Sequence, residues 1–143
     1  VSPTQRTQQL LRESGYTVAN CERKLPATPA GYRGHLITQD LFGFIDTLAV
    51  KNTGRLIAVQ STSNNGGNHA AHVKKVLASK AARLLVYHMD IAVWSWAKRG
   101  PRGQPKVWTL RDEDLTARLL PKRSLLRRHL EQGTWEIEPE RKE

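Results

Sequence analysis

The segment DLFGFIDTLAVKNTGRLIAVQSTS, residues 40–63, holds two apolar runs separated by KNTG, whose Asn52 and Gly54 are turn formers. LFGFIDTLAV (41–50) and RLIAVQSTS (55–63) therefore read as a hairpin of two buried strands. Three polar residues stand out within it. Side chains alternate along a strand, so Gln60 and Thr62 point to one face and Ser61 to the other, while Phe44, Asp46 and Leu48 share a face of the preceding strand. Closing the hairpin at KNTG brings Asp46 level with Gln60–Thr62. A carboxylate beside a side-chain carbonyl, with the backbone carbonyl of Ser61 as a further ligand, is an oxygen-rich site suited to Mg²⁺, or Mn²⁺ as its substitute. Burying a carboxylate without a partner is costly, so Asp46 needs either a metal or an ion pair, for which Arg33 and Lys24 are available.

Outward from the hairpin, TQRTQQLLRES (4–14) suits a short helix capped by Ser2 or Thr4 and stopped at Gly15. YTVANCERK (16–24) reads as a strand, and the Pro/Gly-containing LPATPAGYRGHLITQ (25–39) as a loop. After NNGGN, HAAHVKKVLASKAARL (69–84) is a helix with Ala70, Val73, Val76, Leu77 and Ala81 facing inward. LLVYHM (84–89) and IAVWSWAK (91–98) are further strands, and KVWTL (106–110) can pair with the latter across RGPRGQP. From Asp112 the texture becomes that of two short helices interrupted by Pro121, and TWEIE is a last strand or tail. The expected fold is α/β: a mixed sheet with an α-β-β-β-α-β core, flanked by helices. A helical crossover before the fourth strand favours one parallel pairing. Residues 1–110 form the core, and 111–143 a small basic helical extension on the same domain.

The 143 residues carry a net charge of +10. Between residues 47 and 110, Asp90 is the lone acid against ten Lys and Arg. Such one-sided charge attracts a polyanion by counterion release, and nucleic acid is the obvious one; the alternative is a charge bias that serves solubility. Glu22, Asp40 and Asp46, three of the few acids between residues 14 and 111, lie on or just before the strands of the expected site. Asp40 can equally cap the turn, and Glu22 can be a plain surface acid beside Arg23 and Lys24. Lys98, Arg99 and Arg102 sit on a flexible loop suited to backbone contacts, as do Arg33 in the earlier loop and Lys122 and Arg123 in the C-terminal segment. His69 and His72, one helical turn apart, can line a cleft, but without a third ligand they make a poor zinc site; His88 reads as core. Trp94, Trp96, Trp108 and Trp135 can stack on unpaired bases or pack. One cysteine, Cys21, excludes an internal disulfide and fits a reducing compartment. No apolar run spans a bilayer. The opening VSPTQRTQQL carries no visible signal peptide, and its lack of Met allows for a short removed leader. The expectation is a soluble cytoplasmic protein with neither membrane nor small-molecule partner.

The run helix, strand, "FGFID", turn, "LIAVQST", helix, strand resembles the PD-(D/E)XK nuclease superfamily, whose core is restriction-endonuclease-like; in layout it is most similar to small Holliday junction resolvases of archaea and phages. The resemblance covers residues 4–98. It implies that Asp46 takes the place of the metal-binding Asp, with Ile45 where Pro usually stands, Gln60 that of the second acid and Thr62 that of the Lys. Gln for an acid removes a negative charge that Glu22 and Asp40 can restore; Thr for Lys removes a cation that Lys74 or Lys75 can supply. The family's first-helix acid is replaced by Gln5, Gln8 or Gln9. DLFGFID and VQSTS also resemble phage-borne proteins, which implies a viral or prophage origin and the host cytoplasm as compartment.

The expected function is a Mg²⁺-dependent endodeoxyribonuclease acting in DNA recombination, in its most specific form a Holliday junction resolvase. Two symmetric nicks require two active sites, hence a homodimer. The alternative is a nuclease-fold protein that binds nucleic acid, or a host partner, without cleaving.

Overall fold

The computed structural model describes residues 1–26, 36–64, 67–122 and 131. Helix α1 (Pro3–Glu13) starts where Ser2 accepts from the Gln5 amide at 3.1 Å while Gln5 Oε1 accepts from the Ser2 amide at 2.8 Å, a reciprocal cap with Pro3 in the first turn. It ends before Gly15, whose φ of +90° suits glycine. Strand β1 (Thr17–Asn20) follows, then β2 (Arg23–Pro26), β3 (Leu36–Gln39), β4 (Thr47–Val50) and β5 (Leu56–Ser63). Helices α2 (Asn68–Leu77) and α3 (Lys80–Leu85) lead to β6 (Met89–Arg99), β7 (Val107–Asp114) and the short α4 (Thr116–Leu119).

The architecture is α/β, with a mixed five-stranded sheet in the order β1-β4-β5-β6-β7 and a separate two-stranded β2-β3 ladder. Strands β1, β4 and β5 are antiparallel neighbours, β5 and β6 pair in parallel from Leu56↔Met89 to Ser63↔Trp96, and β7 returns antiparallel to β6. A parallel pair does follow the helical crossover, but its second strand is β6 rather than the expected 84–89. One face of the sheet packs Ala58, Ile91 and Val93 against Val73, Val76, Ala82 and Val86 of the α2–α3 segment and against Leu115, Leu119 and Leu120. The other packs Ala49 and Val59 against Leu11 of α1. Among the described residues no helix is long and apolar enough to cross a membrane.

Several expected elements are redrawn by tertiary contacts. The expected strand 16–24 breaks at Cys21 and Glu22, because the Cys21 amide donates to Asp46 O at 2.8 Å and the Glu22 amide to Asn20 Oδ1 at 3.3 Å; such local side-chain bonds compete with a ladder. The loop read over 25–39 contributes both ends of the β2–β3 ladder. Only 47–50 of the expected strand 41–50 is strand, since 41–45 close into a tight turn through the Leu41↔Ile45 bridge. The helix expected over 69–84 divides at Ser79, whose hydroxyl caps α3 by accepting from the Ala82 amide at 3.2 Å. His69 rather than Ala70 faces inward.

The apolar run 84–89 is the end of α3 and a turn over 86–88, with only Met89 entering a strand, β6. Ala82 and Val86, four residues apart, both reach the core, so the helical period wins. His88 is consequently exposed rather than core. β7 runs through Asp114, so the segment after 110 begins as sheet, and Leu115, Leu119 and Leu120 are buried in the same core. The second expected C-terminal helix, TWEIE, Trp135, Arg33 and Arg123 lie outside the described residues.

Candidate functional site

Asp46 stands one residue before β4, where its backbone is held from both sides: its amide donates to Val59 O at 3.1 Å and its carbonyl accepts from Cys21. The side chain is 1% exposed and accepts from four donors. Oδ2 takes the Ser61 amide at 2.6 Å and Gln60 Nε2 at 3.3 Å; Oδ1 takes the hydroxyls of Thr47 at 3.0 Å and Ser61 at 3.2 Å. Burial pushes its pKa up to about 6, against the lowering effect of the Ser61 amide and the Thr47 hydroxyl; the neighbouring Asp40 charge pushes it further in the same direction.

Gln60 lies on the other face of β5 from Ser61, as alternation requires. Its Nε2 faces both acids, 3.4 Å from Asp40 Oδ2, and stands 3.4 Å from the Ser61 carbonyl. Its Oε1 accepts from Lys75 Nζ of α2 at 3.0 Å. Asp40 Oδ1 is buried and has no hydrogen-bond partner among the described residues. Buried carboxylate oxygens rarely go unmatched. The cluster thus holds two neighbouring carboxylates, an amide, the Ser61 carbonyl and one unmatched acceptor.

That donor set fits a hard divalent cation. Asp40 and Asp46 supply the anionic oxygens, Ser61 a carbonyl, and a half-turn of the Gln60 amide would present its oxygen instead of its nitrogen. The set is lean: among the described residues no three His, Cys, Asp or Glu side chains converge as a metal site. Glu22 does not join it and instead accepts from Thr4 Oγ1 of α1 at 3.3 Å. Thr62 is buried but donates to the carbonyl of Ser63 at 3.3 Å, so its hydroxyl is turned to its own backbone. Of the two α2 lysines, Lys75 reaches the cluster; Lys74 lines a different cavity with Arg111 and Arg118.

A second ring of polar groups was not anticipated. Thr4, Thr7, Gln8 and Leu11 form the buried stripe of α1. Gln8 Nε2 donates to Thr47 Oγ1 at 3.2 Å, and Thr7 Oγ1, which accepts from Trp96 Nε1 at 3.0 Å, stands 2.7 Å from Ser61 Oγ, to which its own hydroxyl can donate while the single Ser61 proton goes to Asp46. Each therefore steadies a hydroxyl that donates to Asp46. The signal is legible as helical spacing of 4, 7, 8 and 11, but the inner stripe is largely polar, whereas an apolar stripe is what ordinarily marks the buried face of a helix. Gln8 is thereby the glutamine of α1 that faces the cluster.

The basic residues divide between this edge and elsewhere. Ser63 and Asn64, about 10 Å along the chain from Gln60, line a cavity of about 410 Å³ with Trp96, Lys98, Arg99 and Trp108. Arg6 lies 3.8 Å and Lys98 5.5 Å from the centre of the Trp108 ring, and Trp108 is 40% exposed. The loop between β6 and β7 is closed tightly at Gly100, where a Cβ would stand 3.0 Å from the Pro105 carbonyl. Arg102 on that loop and Lys122 after α4 are exposed. The histidines play other parts. His69 is buried with both ring nitrogens matched, Nδ1 with Ser95 Oγ and Nε2 with Glu113 Oε1 at 2.9 Å; His72 Nδ1 pairs with Asn68 O at 2.8 Å. Ser95 is fully buried, so the Ser95–His69–Glu113 array is a clasp between α2, β6 and β7.

Comparison with protein-family models, with curated proteins and with solved structures finds no match to this chain.

Proposed function

We propose that the chain is a metal-dependent DNA endonuclease of the restriction-endonuclease-like class, acting on branched DNA as a Holliday junction resolvase. The observation that carries this reading is the buried Asp40 Oδ1, without a partner among the described residues, beside the Asp46 carboxylate in a strongly basic chain. A buried acid whose charge is disfavoured by a neighbouring carboxylate, flanked by an amide and a lysine, is an arrangement that a cation relieves. When bound, Mg²⁺ supplies Lewis acidity, activating water and neutralising charge at the phosphate.

The chain's own residues have separate tasks. Asp40, Asp46 and the Ser61 carbonyl hold the cation, with Gln60 as its neutral ligand. Ser61, Thr47, Thr7 and Gln8 orient Asp46. Lys75 takes the role that Thr62 cannot, placing a positive charge beside the reacting phosphate. Lys98, Arg99 and Arg6 carry the DNA backbone along the same edge, with Trp108 among them. The alternation of helix α1, strands β1, β4 and β5, crossover and β6 supports the nuclease-like topology. A homodimer supplies the second site for paired nicks.

A second reading has its own observation. Gln60 turns its NH₂ toward the two acids and its oxygen to Lys75, so an amide donor stands where a cation would. That favours a nuclease-fold protein that binds nucleic acid without cutting it.

Labelled four-way junction and matched linear duplex, incubated with the protein in Mg²⁺, Mn²⁺ or chelator, separate the two. Paired nicks only with metal, lost in Asp46→Ala while DNA retention on native gels persists, are the expected result. Retention without nicks in any metal would establish the binding reading. Cleavage that survives Asp46→Ala would overturn the site.

A further inference from the structure

Phe42 is the residue whose placement folding explains least. Its φ is +53°, in the left-handed region that costs an L residue roughly 1–2 kcal/mol, and a bulky side chain there is a genuine outlier. Glycine follows at 43 with φ +80°, so the turn uses left-handed backbone at both positions, yet glycine fills only one. Phe42 is 59% exposed and so recovers little of that cost by burial. The turn itself is firm. The Gly43 amide donates to Asp40 O at 3.0 Å and the Ile45 amide to Leu41 O at 2.9 Å, while Phe44 and Ile45 are buried as anchors on its far side. Strain retained in a pinned turn beside a candidate site points to use rather than accident.

The space that Phe42 overlooks has a definite chemistry. A cavity of about 380 Å³ opens between this turn and the base of the β2–β3 ladder, where Arg23 pairs with Gln39. Phe42, Leu41 and Cys21 give it apolar walls, and Asp40, whose buried oxygen has no partner among the described residues, forms part of its lining. Asn20 and Gln39 add two amides. Asn20 Oδ1 is occupied by Gln8 and the Glu22 amide, and among the described residues neither Asn20 Nδ2 nor the Gln39 amide has a partner. Arg23 stands at the lining as the cation. An aromatic wall, amides that can donate and accept at a flat polar edge, and an arginine for the adjoining phosphate together match one unstacked nucleobase.

We propose that this cavity receives a single unpaired nucleobase, stacked on Phe42, which places the neighbouring phosphate at Asp40 and Asp46. The inference rests on the nuclease reading and deepens it: the preferred substrate is DNA with a base that has lost its partner, as at a bulge or the centre of a junction. The pinned backbone of the turn presents Phe42 before DNA arrives, which lowers the ordering cost of binding.

The test measures fluorescence anisotropy of the full chain in chelator, so that nothing is cut, with a short duplex carrying one unpaired adenine and the same duplex fully paired. The expected result is that the bulged duplex binds about tenfold more tightly or better, that Phe42→Ala removes the preference, and that Phe42→Trp retains it. Thermal unfolding of each variant checks the fold. Equal affinity of the native chain for the two duplexes, or a preference that survives Phe42→Ala, overturns the inference. Metal-dependent cleavage alongside equal affinities would sink the base pocket alone. Failure to bind either duplex would sink the nuclease reading with it.

Discussion

Two buried polar clusters lie on this sheet, and they differ in one respect. At the β6–β7 side, His69 has Ser95 on one ring nitrogen and Glu113 on the other, and Glu113 also meets Arg118 at 3.1 Å. At the β4–β5 end, Asp46 is equally buried and has four donors, but its neighbour Asp40 keeps a buried oxygen with no partner among the described residues. A matched cluster is complete as a structural device, because every desolvated group has recovered its hydrogen bonds. An unmatched one retains the desolvation cost and so has affinity left for a ligand. The difference separates a clasp from a site more reliably than residue type does, since a Ser–His–Glu array would otherwise attract the catalytic interpretation.

The sharpest way to break that contrast is to remove one member of each. Asp46→Ala should lower metal-dependent cleavage by about a thousandfold or more, equivalent to ~4 kcal/mol of transition-state stabilisation, in a single-turnover assay on junction DNA. His69→Ala should leave cation affinity unchanged and cost ~3 kcal/mol of stability, lowering Tm by roughly 10 °C, because Ser95 and Glu113 lose their shared partner. If His69→Ala instead abolished cation binding in a protein that still melts cooperatively, the clasp would belong to the site.

Proton linkage sharpens the same contrast. The Asp46 pKa of about 6 lies above the ordinary value of 3.8, so the folded chain holds a proton that the unfolded chain has already released. The stability associated with this group is therefore full below about pH 4, falls as pH rises toward 6 and is level above, a change of up to about 3 kcal/mol. Asp90 and Asp112 are also raised by burial and slope the same way. Calorimetric scans from pH 4 to 7 on the native chain and on Asp46→Asn should differ by the Asp46 share. Saturating Mg²⁺ should flatten the native profile, since a cation favours the ionised carboxylate. An unchanged profile with Mg²⁺ would mean that no cation reaches Asp46.

Smaller effects follow at the margins. Lys75→Met removes a positive charge from beside the acids and frees Gln60 Oε1; Mn²⁺ affinity by titration calorimetry should rise by roughly three- to tenfold while cleavage falls. Phe42→Gly, which relieves the left-handed strain, should raise stability by about 0.5–1 kcal/mol. A loss of stability there would mean that the exposed ring is packing after all.

Much of the local logic was legible in the chain. The turn at KNTG sets the register that carries Asp46 to the end of β5, and alternation alone separates Gln60 from Ser61. The boundaries were less legible where two patterns competed. LLVYHM has the composition of a strand, but Ala82 and Val86 were available to a helical stripe, and packing on the sheet chose it. YTVANCERK reads as one strand until Asn20 offers its side chain to the Glu22 amide and the Cys21 amide finds Asp46. Thr62 and Glu22 had suitable chemistry and spacing, yet each found a nearer partner.

The sequence by itself determined the charge, the α/β alternation, the parallel crossover and the convergence of Asp46 with Gln60 and Ser61, because these follow from periods and turn lengths along one stretch of chain. Only the tertiary structure decided that Lys75 rather than Lys74 serves Gln60, that Thr7 and Gln8 stand behind Asp46, that His69 is matched on both sides, and that Asp40 keeps an oxygen without a partner among the described residues. Those outcomes depend on how far two elements distant in sequence approach each other, and hydrogen bonds discriminate at that scale: a few tenths of an ångström and the direction of one rotamer separate a partner from a neighbour.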